Sequence, residues 1–156
     1  MTIDIVHTLS HILITCIYRP HATNVEFFNP ELGTLLNVIK SHWNIYMVVG
    51  DFNIDLLKVH YHPPTSALYN IMIAHGLTPI VTKPTRITEF SHSLIGNIFI
   101  STIKYKCKAT IFCSDISNHF SVILELTDME KFLLNTNYKH YYKIYWKFTK
   151  NSLVRI

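Results

Sequence analysis

The stretch IYMVVGDFNIDLL, residues 45–57, decides the fold. Ile45 to Val49 is a short, nearly continuous apolar run ending in Gly50-Asp51, the pattern of a buried strand whose C-terminal end opens into a loop. Working outward, the apolar period switches repeatedly between two and about 3.6, which marks mixed α/β structure rather than a helical bundle. Upstream, Met1 to Ile5 and Ile12 to Tyr18 read as strands of a hairpin joined through residues 8–11. Phe28, Leu32, Leu35, Leu36 and Ile39 fall at helical spacing, and Pro30 places that helix's start near itself. Downstream, Leu68, Ile71 and Met72 share one face of a helix over Ser66–His75, stopped by Gly76. Four further strands are predicted at 77–82, 94–100, 104–113 and 119–126, separated by Pro, Ser, Asn and Asp clusters. The alternation of Lys104, Lys106 and Lys108 makes the third of these half exposed or an edge.

The 156 residues are 49% hydrophobic and 15% charged, which describes one core-forming domain and excludes a disordered chain. No apolar run approaches the roughly 20 residues of a membrane span. The first residues mix Asp4, His7 and His11 among apolar ones and lack the pattern of a secretory signal, so an intracellular protein is expected, nuclear or cytoplasmic and not secreted. Cys16, Cys107 and Cys113 have no C-x-x-C spacing and read as reduced, packed thiols. The net charge of +4 is unevenly placed: residues 131–156 hold six basic side chains and no acidic one, leaving the body net acidic. The division expected is a domain over 1–128 and a basic, aromatic tail or linker over 129–156. In that tail Lys139, Lys143, Lys147 and Lys150 fall at helical spacing beside Tyr138, Tyr142, Tyr145 and Trp146. This is either a nucleic-acid-binding stripe or a linker, and the linker is preferred.

Three segments put reactive residues at the ends of apolar strands, where α/β proteins gather ligand sites. They are Tyr18-Arg19-Pro20, Gly50-Asp51-Phe52-Asn53 and Ser117-Asn118-His119-Phe120. An Asp there can hold a hard cation or take a proton from water, and an Asn two residues on, in an extended chain, points to the same side and can orient that water. A Tyr and a His converging on the same place can donate to phosphate oxygens. Each signal alone is weak, since Gly-Asp after a strand is usually a turn. His60-Tyr61-His62 reads as a solvated loop rather than a metal pair, having no third ligand at a fixed offset.

Taken together, CIYRP (16–20), VVGDFNIDLL (48–57), HGLTPIVTKPTRIT (75–88), SHSLIGNIFIS (91–101) and SDISNHFSVIL (114–124) resemble the C-terminal half of the endonuclease domain of non-LTR retrotransposons. That family is an exonuclease-III-like branch of the endonuclease/exonuclease/phosphatase superfamily. The resemblance implies an α/β fold, a partial four-layer α/β sandwich lacking its N-terminal half, with chiefly one sheet and a bare apolar face that invites self-association. It implies that Asp51 activates the attacking water or meets Mg²⁺, that Asn53 positions that water, and that Tyr18 faces the scissile phosphate. His119 would bind the non-bridging oxygens and stabilise the transition state. Arg86, in the KPTRIT segment, is either a DNA-backbone contact or an exposed loop residue.

Two positions depart from the family. Gly96 stands where the family has an Asp that pairs with the active-site His, and Asn118 replaces the Asp of its Ser-Asp-His. The family's metal-binding Glu has no counterpart before Met1, and Glu26, Glu31 and Glu89 match no ligand motif. A positioned acid or base contributes about 10²- to 10⁴-fold, so losing several removes most of the rate. The expectation is a fragment of a Mg²⁺-dependent DNA endonuclease, weakly active or inactive, with DNA as partner and, in an intact element, a reverse transcriptase domain. The alternative is a non-catalytic nucleic-acid-binding or decayed mobile-element protein. A phosphatase acting on small phosphoesters is disfavoured by the KPTRIT segment.

Overall fold

A computed structural model describes residues 2–7, 10–101, 106–113, 117–127 and 142–146. At its centre the run 46–51 forms β3 (Tyr46–Asp51), buried at every position. Parallel to it lies β2 (Ser10–Tyr18), which pairs antiparallel with β1 (Thr2–His7) as the expected hairpin. On the other side β7 (Gly96–Ile100) runs antiparallel to β3, followed by the two-residue β4 (Thr78–Pro79), completing a five-stranded sheet of order β1-β2-β3-β7-β4. Burial on both faces explains why β3 shows no polar alternation.

The helices α1 (Val25–His42) and α2 (Pro63–Ala74) pack on each other, and their buried Leu32, Leu36, Ile39, Leu68 and Met72 join the same core as the sheet. α1 starts before Pro30, contrary to the sequence expectation, because Asn24 caps it: the Asn24 side chain accepts the Glu26 N–H at 2.8 Å. Pro30 supplies no N–H to the Glu26 carbonyl, and both residues are exposed, on the solvent side of the helix. α2 ends where Gly76 takes φ 75°. Phe52 and Phe99, both fully buried, meet edge to face at 5.6 Å between ring centroids.

Four expectations are corrected. A second sheet exists, of order β10-β9-β8, made by β8 (Lys106–Phe112), β9 (Ser121–Thr127) and β10 (Tyr142–Trp146). Val122, Leu124 and Leu126 of β9 belong to the same core as β2, β3 and β7, so this chain does not bring chiefly one sheet. The tail reading at helical spacing meets a strand at Tyr142–Trp146, paired with β9 with Lys143 opposite Glu125, while Lys139, Lys147 and Lys150 lie outside the described residues. The strand expected over 77–82 shrinks to two residues because Pro79 has no N–H and the Asn97 side chain takes over at Val81, accepting its N–H at 3.2 Å and donating to its carbonyl at 2.9 Å. β8 does alternate between exposed and half-buried residues, but Cys113, just beyond it, is exposed rather than packed. Among the described residues no helix is long and apolar enough to cross a membrane.

One approach is close enough to fix the register of β2 on β3. A Cβ built on Gly50 would lie 1.8 Å from the Ile17 carbonyl oxygen, whereas one on Gly33, in α1, meets nothing within 4 Å. Gly50→Ala is expected to lower stability in urea denaturation by about 3 kcal/mol, the upper end for overpacking, since backbone must move. Gly33→Ala is expected to raise it by about 0.5–1 kcal/mol by removing a helical glycine.

Candidate functional site

Asp51 is the last residue of β3, held between two neighbours by the sheet itself: Tyr18 in β2 and Gly96 in β7 stand opposite it in register. Its backbone carbonyl accepts the Arg19 N–H at 3.0 Å. Its carboxylate is 5% exposed, with Oδ1 accepting the Asn53 N–H at 3.0 Å and Oδ2 3.4 Å from His119 Nδ1. Burial pushes the Asp51 carboxyl above its usual range, and the Asn53 N–H, His119, Arg86 and Arg19, in that order, pull it back.

His119 reaches Asp51 because the segment before β9 is stitched to a small hairpin, β5 (Arg86–Ile87) and β6 (His92–Ser93), which has no sequence signature of its own. Arg86 and His119 form an antiparallel bridge, with the Ile87 N–H donating to the Asn118 carbonyl at 3.1 Å and the Phe120 N–H to the Thr85 carbonyl at 2.8 Å. Thr85, buried beside them, accepts the Gly96 N–H on its hydroxyl at 2.9 Å. A Cβ on Gly96 would touch that hydroxyl only at ordinary contact distance, 3.4 Å. The space above Gly96 is a small cavity of about 20 Å³, lined among others by Asp51, Thr85 and His119.

Asn53 is placed differently from the extended geometry assumed in the sequence. It takes φ 48°, in the left-handed region that Asn tolerates, which turns its side chain to donate to the Arg19 carbonyl at 2.8 Å. Its backbone N–H, not its amide, serves Asp51. Arg19 is the residue that motif reasoning passed over. It is 3% exposed, and its guanidinium donates to the carbonyls of Phe52 at 2.6 Å, of Asn53 at 2.8 Å and of Thr23. Those donations clamp the loop after β3 onto the loop after β2. Tyr18 stands 64% exposed at the mouth of the sheet, and Asn118 is exposed. Asp115 lies outside the described residues, while His60, Tyr61 and His62 are exposed on the far loop, where His62 Nδ1 is 2.9 Å from Thr65 Oγ1.

No protein-family model matches the chain, and no curated protein sequence matches it. Solved structures do. The endonuclease domain of TRAS1, a telomere-specific non-LTR retrotransposon, aligns with TM-score 0.61 at 12% identity over 82% of this chain and 63% of its own. An endonuclease/exonuclease/phosphatase family protein from Leptotrichia buccalis gives 0.57 at 18% identity, over 80% and 52%, and one from Bacteroides thetaiotaomicron 0.51 at 20%, over 76% and 51%. The fold is therefore a partial endonuclease/exonuclease/phosphatase fold, and the chain spans about half to two thirds of the length of the structures it matches.

The described residues do not fit Mg²⁺. That ion wants oxygen ligands in near-octahedral array, yet among the described residues Asp51 supplies the one carboxylate lining the pocket, with Oδ1 taken by the Asn53 N–H and Oδ2 facing His119. Among the described residues no group of three His, Cys, Asp or Glu side chains could hold a metal.

The raised Asp51 pKa has a sign in stability. Between the ordinary Asp value and the folded one the native state holds the extra proton, so wild-type stability is fullest below the ordinary value and falls as pH rises through the folded one. Asp51→Asn, which cannot ionise, is expected to gain on the wild type between an acidic and a neutral buffer in urea denaturation; a difference independent of pH contradicts this assignment.

Proposed function

We propose that this chain is a DNA-phosphodiester-recognising domain of the non-LTR retrotransposon endonuclease type, whose hydrolytic chemistry is weak or lost. The observation that carries the reading is the convergence of Asp51 and His119, far apart in the sequence, to 3.4 Å at the open end of a sheet with this fold. In the reaction that the resemblance implies, a carboxylate prepares water and an imidazole stabilises the pentacovalent phosphate. Here one carboxylate faces the imidazole directly, and Gly96 offers none in its place. His119 is thereby oriented by the group that would otherwise serve the water. Mg²⁺, part of the same expectation, finds no ligand set among the described side chains.

The partners that belong to this reading are DNA and, in an intact element, a reverse transcriptase domain. The self-association argued from a bare sheet face loses its premise, since β9 is packed into the core. The second reading, a non-catalytic nucleic-acid binder, is favoured by one feature: Phe90, in the loop of the β5–β6 hairpin, is 90% exposed, a surface on which a base could stack. The basic residues Lys139, Lys143 and Lys147 would add sequence-independent contacts to phosphate.

Supercoiled-plasmid nicking separates the two. With Mg²⁺ the folded protein is expected to nick no faster than Asp51→Ala, while both bind DNA in a manner released by added salt. Nicking that needs both Mg²⁺ and Asp51 would establish a working hydrolase.

A further inference from the structure

The charge pattern around Asp51 runs opposite to that of a cation site. Arg19 and Arg86 both lie near enough to act on the carboxylate, and His119 faces it at 3.4 Å, so a single negative charge is set among three basic side chains. Arg19 is fixed by three backbone carbonyls of the loops adjoining Asp51. Arg86 is fixed in backbone by its bridge to His119. A divalent cation entering this ring would face two permanent positive charges with one carboxylate to oppose them. An oxyanion would meet the reverse: a net positive site at the open end of the sheet, where Tyr18 stands opposite Asp51 in register.

Resting on the function proposed above, we propose that the part-exposed His119 and its bridged neighbour Arg86 form, on the surface beside Asp51, a metal-independent oxyanion site that takes a phosphodiester phosphate directly, with Asp51 as internal counter-charge rather than metal ligand. Asp51 then holds His119 in place and weakens the anion's affinity by its own charge. The two roles give opposite signs for one substitution. In a metal site, removing the carboxylate removes the ion and with it the phosphate; in an oxyanion site, removing it strengthens the phosphate.

The test is fluorescence anisotropy of a labelled short DNA duplex with the full chain at constant ionic strength, in EDTA and in MgCl₂, with inorganic phosphate as a second probe read by thermal shift. Equal DNA affinity in the two buffers is expected, with several-fold tighter binding by Asp51→Asn and about tenfold weaker binding by Arg86→Gln. Binding that requires Mg²⁺ and is abolished in Asp51→Asn overturns the inference and leaves the endonuclease-type reading standing. Stabilisation by inorganic phosphate without DNA binding upholds the oxyanion site and removes the polynucleotide reading. Absence of both overturns both. The wild-type comparison of the two buffers decides the matter even if Asp51→Asn fails to fold.

Discussion

The close approach of Gly50 to the Ile17 carbonyl is the constraint on which the site depends. No side chain fits between β2 and β3 at that point, so the two parallel strands run in one register, with Ile17 opposite Gly50 and Tyr18 opposite Asp51. From that register the rest follows: the Arg19 N–H reaches the Asp51 carbonyl, and the guanidinium beyond it reaches the carbonyls of Phe52 and Asn53. A one-residue slip would turn Asp51 to the other face of the sheet. The glycine is thus conformationally unremarked but sterically decisive.

Around the carboxylate so placed, a backbone donor and basic side chains gather from four segments. The Asn53 N–H comes from its own loop, His119 from the segment before β9, and the two arginines from the loop after β2 and from the β5–β6 hairpin. Desolvation of Asp51 is opposed but not cancelled, since burial still sets the direction of its shift. Gly96 leaves a small cavity beside Asp51, and His119 lies 3.4 Å from that carboxylate. A pocket built this way differs in character from a carboxylate-rich cation site while keeping the backbone frame of the endonuclease/exonuclease/phosphatase fold.

The frame was legible in the sequence because it rests on local patterns. A continuous apolar run ending in Gly-Asp marks β3, and the faces of α1 and α2 repeat at helical spacing. Asp51 and His119 were legible as pieces, through their order along the chain. What was not legible depends on partners distant in sequence. Arg19 is bonded to backbone carbonyls, which no side-chain pattern announces. The β5–β6 hairpin has strands of two residues, too short to show a period. Asn53 looks like an extended-chain neighbour of Asp51 until its left-handed backbone is seen. Pro30 misled because a proline more often opens a helix than sits in its second turn, and the capping Asn24 carried the truer signal.

The central claim is that His119 takes Asp51 itself as its partner. A double-mutant cycle in urea denaturation measures that pairing directly, using Asp51→Asn, His119→Gln and the double variant in one buffer. The account predicts a coupling of about 1 kcal/mol or more, within the roughly 0.5–3 kcal/mol found for residues in direct contact. Additive effects, with no coupling between the two positions, would contradict it.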